Sequence, residues 1–96
     1  MNIADLNDGM RKVDVAGTIT DKSDTREVKS RYTNDSYKVA DATLEDVTGH
    51  ITLTLWHEQT EQVNIDDKVK IENGYVKSFR DTLQLNSGKY GTLTVL

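Results

Sequence analysis

Cysteine is absent from the 96 residues, so disulfides, thiolate zinc sites and thiol nucleophiles are excluded, and the fold must rest on burial and hydrogen bonding. Histidine is scarce: His50 and His57 lie seven apart with no third ligand beside them, which does not make a metal centre. The six glycines build no phosphate-cradling loop, the carboxylates are scattered through turns, and no nucleophile motif occurs. Neither catalysis, nor a cofactor, nor a small-molecule substrate is expected. Long apolar runs are missing too. None comes near the roughly 18 residues that span a bilayer, and the opening MNIADLNDG lacks the basic-then-apolar layout of a secretion signal. A soluble intracellular chain with no membrane partner is expected.

A surplus of positive charge is also lacking, for the net charge is −4. Taken alone this disfavours nucleic acid, since phosphate binding is driven by clustered Lys and Arg. The charge is segregated, however. Residues 41 to 67 carry seven acids and no base, whereas residues 22 to 38 carry five bases (Lys22, Arg26, Lys29, Arg31, Lys38) against three acids. Residues 77 to 89 add Lys77, Arg80 and Lys89 against Asp81. If folding joins those two stretches, a positive groove can exist on an acidic protein. With 35% apolar residues the chain is too apolar and too periodic for disorder, and one domain with a small core is expected over residues 1–96.

What is present is strict alternation, the signature of strands with one buried face. Val13, Val15, Gly17 and Ile19 predict a first strand over about residues 11 to 20, with Gly17 marking a bend or close backbone approach. Asp21 to Ser36 has no periodicity and reads as a long surface loop. Tyr37 to Glu45 is a second strand with Ala40, Ala42 and Leu44 inward, and Asp46-Val47-Thr48-Gly49 is a tight turn. The third strand, His50 to Trp56, alternates most cleanly: Ile51, Leu53 and Leu55 on one side, His50, Thr52, Thr54 and Trp56 on the other. HEQTEQ at 57 to 62 favours a helical turn, after which Val63 and Ile65 would plug the end of a barrel. A fourth strand runs from Lys68 to about Phe79 with a bulge at Gly74. Thr82 to Asn86 follows with its leucines inward, then a last extended piece from Tyr90 to Val95, while Ile3 and Leu6 cap the core. Five strands with a long first loop and a helix between the third and fourth predict a small closed barrel.

Trp56 is out of place on the polar side of its strand. One reading covers it with a loop; the other leaves it exposed for a ligand. The pattern Tyr75-x-Lys77-x-Phe79 sets two rings and a cation on one face of the fourth strand, although Phe79, the only phenylalanine, could instead fill the core. Exposed rings interleaved with cations are what single-stranded nucleic acid requires, because bases present flat π faces and stacking is worth roughly 1 to 3 kcal/mol per base. Arg26, Lys29, Arg31, Lys38, Lys77 and Arg80 would then follow the phosphates. Tyr32, Tyr37, Thr52, Thr54 and Gln84 are secondary candidates for contact.

The run from Asp46 to Gly88 carries the D-x-T-G turn, the L-T-L-W strand, the K-I-E-N strand followed by two aromatics, and the Q-L-N-x-G ending. Together with the opening Ile3-x-x-Leu6-x-x-Gly9-Met10-x-x-Val13-x-Val15, it resembles the single OB fold of archaeal single-stranded-DNA-binding proteins of the replication protein A type and their eukaryotic simple relatives. The resemblance implies an all-β, five-stranded Greek-key barrel that binds single-stranded DNA with little sequence preference, in replication, recombination or repair. It implies base stacking on Trp56, Tyr75 and Phe79, the same three residues that the face argument selects. Tyr75 stands where the family usually has a second tryptophan. The family's C-terminal tail does not follow Leu96, which leads to the expectation of a trimmed chain or of one module from a protein of several OB folds. A cytoplasmic, nucleoid-associated location is implied for an archaeal chain and a nuclear one for a eukaryotic chain. Other OB modules or replication and repair proteins are implied as further partners. The rival readings are an OB fold that uses the same rings for protein contact, and one that binds single-stranded RNA such as a tRNA anticodon.

Overall fold

The computed structural model describes residues 2–29, 35–79, 81–87 and 91–96. Arg31, Tyr32, Arg80, Lys89 and Tyr90 lie outside the described residues. The strands are β1 (Arg11–Lys22), β2 (Arg26–Lys29), β3 (Ser36–Asp46), β4 (Gly49–Trp56), β5 (Lys68–Phe79), β6 (Thr82–Asn86) and β7 (Thr92–Val95), with the one-turn helix α1 (Gln59–Gln62) between β4 and β5. Five of them close a barrel in the order β1-β3-β4-β6-β5, with β5 returning to pair with β1, while β2 extends β3 and β7 lies along β5. This is the five-stranded OB barrel that the strand pattern and the resemblance both lead to, with the short helix between its third and fourth strands.

Closure requires β1 to serve two neighbours. Arg11 to Thr18 pair with β5 and Thr18 to Lys22 with β3, both antiparallel. The change of partner falls at Thr18, which pairs with both, and at the adjacent Gly17 a Cβ would stand 2.5 Å from the Glu45 carbonyl oxygen, so only glycine allows the strands to come this close. The β1–β5 ladder slips twice around Gly74: Val13 faces Gly74, but Arg11 faces Tyr75 and Val15 faces Ile71. Lys12 and Asn73 are the extra residues of the two bulges, and both adopt left-handed backbone, with φ of 53° and 56°.

The core is aliphatic. Val13, Val15, Ile19, Leu44, Leu53, Leu55, Val69, Ile71, Val76 and Leu85 fill the barrel, Val63 closes one end beside α1, and Ile3 and Leu6 cover the other. No aromatic side chain joins this cluster among the described residues.

Two expectations need correction. The stretch from Asp21 to Ser36 is not wholly loop, because β2 pairs in register with β3 from Arg26 opposite Val39 to Lys29 opposite Ser36. All four β2 residues are exposed, so the strand has no buried face and leaves no alternation in the sequence to read. Ile65 does not plug the barrel but is 51% exposed. Its turn is tied to β1 by backbone bonds from Ile19 N–H to Asp67 O and from Asp66 N–H to Ile19 O, which leaves Ile65 at the tip while Val63 and Thr60 are buried.

The β3–β4 turn is stapled by one carboxylate. Asp46 Oδ1 accepts from the Thr48 hydroxyl, from Thr48 N–H at 2.7 Å and from Gly49 N–H at 3.1 Å, while Oδ2 accepts from Ile3 N–H at 2.9 Å. These bonds, the Thr48 hydroxyl first and the Ile3 amide next, hold the Asp46 pKa at about 2 against an ordinary 3.8. A carboxylate more acidic in the folded state contributes stability that is present above 3.8 and is lost as pH falls toward about 2. Asp46→Ala is therefore expected to melt below the parent at pH 7, and the gap between the two melting temperatures should narrow across that acid window; a gap independent of pH would contradict the staple.

Candidate nucleic-acid interface

Residues that pair across a ladder share a face, so the register lays out the outer surface of the sheet in rows. One row runs from Asp41 on β3 through Thr54 on β4, Asn86 on β6 and Tyr75 on β5 to Arg11 on β1. The next runs Thr43, Thr52, Gln84, Lys77. Phe79 lies one row further, opposite Thr82, and Trp56 lies on the other side of the Thr54 row, opposite Val39. Trp56, Tyr75, Lys77 and Phe79 thus occupy one face, on the side of the sheet away from Leu53, Leu55, Val76 and Leu85. Exposures of 36% for Trp56, 39% for Tyr75 and 55% for Phe79 show that the rings stand outside the barrel. Tyr75 and Phe79 are four residues apart on an extended strand, about 13 Å between Cα atoms, which makes two separate stations rather than a stacked pair.

Trp56 is held as well as exposed. Its indole N–H donates to Asn86 Oδ1 at 3.1 Å, and its backbone N–H donates to Gln59 Oε1 at 3.2 Å. The Gln59 amide in turn donates to Ser87 Oγ at 2.9 Å, so α1 and the end of β6 clamp the residue from two sides. Three residues of this face, Val39, Thr54 and Asn86, are buried although they lie outside the barrel core. Val39 pairs with Trp56 across the ladder, Asn86 accepts from the indole, and Thr54 is the register partner of Asn86.

The other candidates divide. Thr52 and Gln84 are half-buried in the row between Trp56 and Phe79. Tyr37 lies on the same face as Val39 and is half-buried, its ring 5.4 Å from that of His57. Thr54 is on the face but not accessible, because it sits mid-sheet between Asp41 and Asn86, and its hydroxyl has no hydrogen-bond partner among the described residues. Arg26 shares the face but its guanidinium is 3.3 Å from Asp41 Oδ2. Lys29 and Lys38 pair with Ser36 and Glu27 on the opposite side of the β2–β3 ribbon, and the Lys38 ammonium is 3.8 Å from Glu61. Lys22 serves the fold, its ammonium donating to the carbonyls of Thr60 and Val63 at the end of α1. Of the basic stretch at 22 to 38, Lys22, Arg26 and Lys38 are thus engaged within the molecule. Sequence reasoning missed Asn86 as the indole's partner and Arg11 as the neighbour of Tyr75. The first follows only from the parallel β4–β6 register. The second follows from the β1 bulge, although the adjacent cations Arg11 and Lys12 were a visible signal.

The family described as single-stranded DNA binding protein Ssb-like, OB fold, matches residues 8–95. The chain belongs to this family. Among curated relatives, the single-stranded DNA binding protein Ssb of Saccharolobus solfataricus is 29% identical over 86 residues, which are 90% of this chain and 57% of that protein. Replication factor A of Methanothermobacter thermautotrophicus is 34% identical over 88 residues, 91% of this chain but 11% of that protein. The chain therefore spans little more than half of one relative and about a ninth of the other. The solution structure of a replication factor A related protein from Methanobacterium thermoautotrophicum superposes with a TM-score of 0.80 at 21% identity, over 100% of this chain and 89% of that one, which shows the shared fold.

Asn86→Ala removes the indole's acceptor, a bond worth about 0.5–1.5 kcal/mol. A small fall in melting temperature is expected, together with faster local motion of Trp56 in time-resolved fluorescence anisotropy. Unchanged anisotropy would mean that the strand alone fixes the ring.

Proposed function

We propose that this domain binds single-stranded DNA by stacking unpaired bases on Trp56, Tyr75 and Phe79. The observation that carries the reading is the exposure of all three rings on one face of a barrel whose core is filled by aliphatic side chains. Each base stacked on such a ring contributes roughly 1 to 3 kcal/mol irrespective of its identity, so little sequence preference follows. Duplex DNA keeps its bases paired edge to edge and stacked face to face within the helix, with no free π surface for the rings, so it binds poorly. Thr52 and Gln84 line the path between the rings, and Lys77 supplies a cation between Tyr75 and Phe79. Membership of the Ssb-like family and the name of one relative, single-stranded DNA binding protein Ssb, support the ligand class, and the name of the other, Replication factor A, supports replication as the setting, with recombination and repair as further processes that expose single strands.

Trp56 is the sole tryptophan, so its emission reports the site directly. A thymidine homopolymer is expected to quench it, and a duplex of equal length to do so far less. Tyr75→Ala and Phe79→Ala should each weaken the binding by roughly 1 to 3 kcal/mol with little change in melting temperature, since neither ring belongs to the core. Titrations in which the oligomer leaves Trp56 emission unaltered, in the parent and both variants, would contradict the reading and favour a protein partner on the same face. Competition by a matched RNA oligomer decides which sugar is preferred.

A further inference from the structure

Resting on that reading, we infer that Arg11 and Lys12 at the start of β1 carry the strand's phosphates past Tyr75, making the groove between β1 and β5 the phosphate-binding half of the binding track. The side chains that line the groove include Arg11, Lys12, Tyr75, Lys77 and Ser87, with Asp8 as its one acid. Register sets Arg11 directly beside Tyr75, so a base on that ring has its backbone within reach of the guanidinium. The left-handed bulge at Lys12 adds a second cation at the same place. Ser87 joins this groove to the indole platform, because its hydroxyl accepts from the Gln59 side chain that also holds the Trp56 backbone.

Charge accounting points the same way. Among the described residues, Arg26 faces Asp41, Lys38 faces Glu61 and Lys70 faces Glu72, whereas Arg11, Lys12 and Lys77, like Lys22, Lys29 and Lys68, form no ion pair, and only the first three of these six line this groove. The nearby carboxylates are turned to the backbone, Asp8 accepting from Ser78 N–H at 2.8 Å and Asp14 from Asn73 N–H at 2.9 Å, and they keep their charge. Three cations against the single carboxylate of Asp8 leave this groove with a local positive surplus on a chain of net charge −4.

The test is the salt dependence of oligothymidylate binding, read by Trp56 quenching. For single strands the slope of log K against log salt is about −0.7 per phosphate neutralised. The double variant Arg11→Gln, Lys12→Gln should reduce its magnitude by about 1.4 while the quench at saturation remains, and Arg11→Lys, Lys12→Arg should restore it. Lys29→Gln, on the opposite side of the β2–β3 ribbon, should leave it unchanged. A double variant that melts like the parent, still quenches and keeps the parental slope overturns the groove without touching the stacking platform. If the parent itself shows no quench, the stacking reading fails and takes the groove with it. Should the double variant fold poorly, Lys77→Gln on the same groove is expected to lower the slope by about 0.7, and an unchanged slope there counts against the groove.

Discussion

Barrel closure depends on β1 pairing with β3 and β5 at once, and the rest of the structure follows from that constraint. The strand can change partners only beside Gly17, where backbone passes backbone. Once closed, the barrel has an interior narrow enough to be filled by Val, Ile, Leu and Ala, and interiors of this kind accept neither voids nor extra volume without cost. Aromatic side chains on β4 and β5 therefore have no place inside. The alternation that sends Leu53, Leu55 and Val76 to the core sends Trp56, Tyr75 and Phe79 to the opposite face.

A surface ring is useful only if it is held, since ordering a loose side chain at the moment of binding costs affinity. Trp56 is ordered in advance by two hydrogen bonds and by its ladder partner, the buried Val39. The stacking stations also stand on strands rather than loops, so the register that closes the barrel sets their spacing. Cations are apportioned by the same geometry. Of those from residues 22 to 38, Lys22 holds α1 while Arg26 and Lys38 pair with carboxylates, whereas Arg11 and Lys12 of β1 and Lys77 of β5 form no ion pair among the described residues and line the groove beside Tyr75.

Most of the barrel was legible because its strands have one wet and one dry face, and alternation reports that contrast directly. The three rings were legible for the same reason. β2 was not, because a strand exposed on both sides carries no apolar period. Ile65 was misplaced because turn bonds to β1, which no side-chain pattern records, hold it outward. Thr54 was read as accessible because alternation gives a side but not what flanks it. The ion pairs of Arg26 and Lys38 were not legible, because density of positive charge in sequence says nothing about which acids fold against it. Arg11 needed the bulge at Lys12 before it could be set beside Tyr75.

The central claim is that unpaired bases lie on the outer rings. Heteronuclear NMR during titration with a short thymidine oligomer tests it most directly, because a base stacked on a ring shifts that ring's protons upfield through its own ring current. The account requires such shifts for the indole of Trp56 and the rings of Tyr75 and Phe79, with the methyl groups of Leu53 and Leu55 unmoved. Saturating oligomer that leaves all three rings unshifted, or moves only resonances on the far side of the barrel, would contradict it.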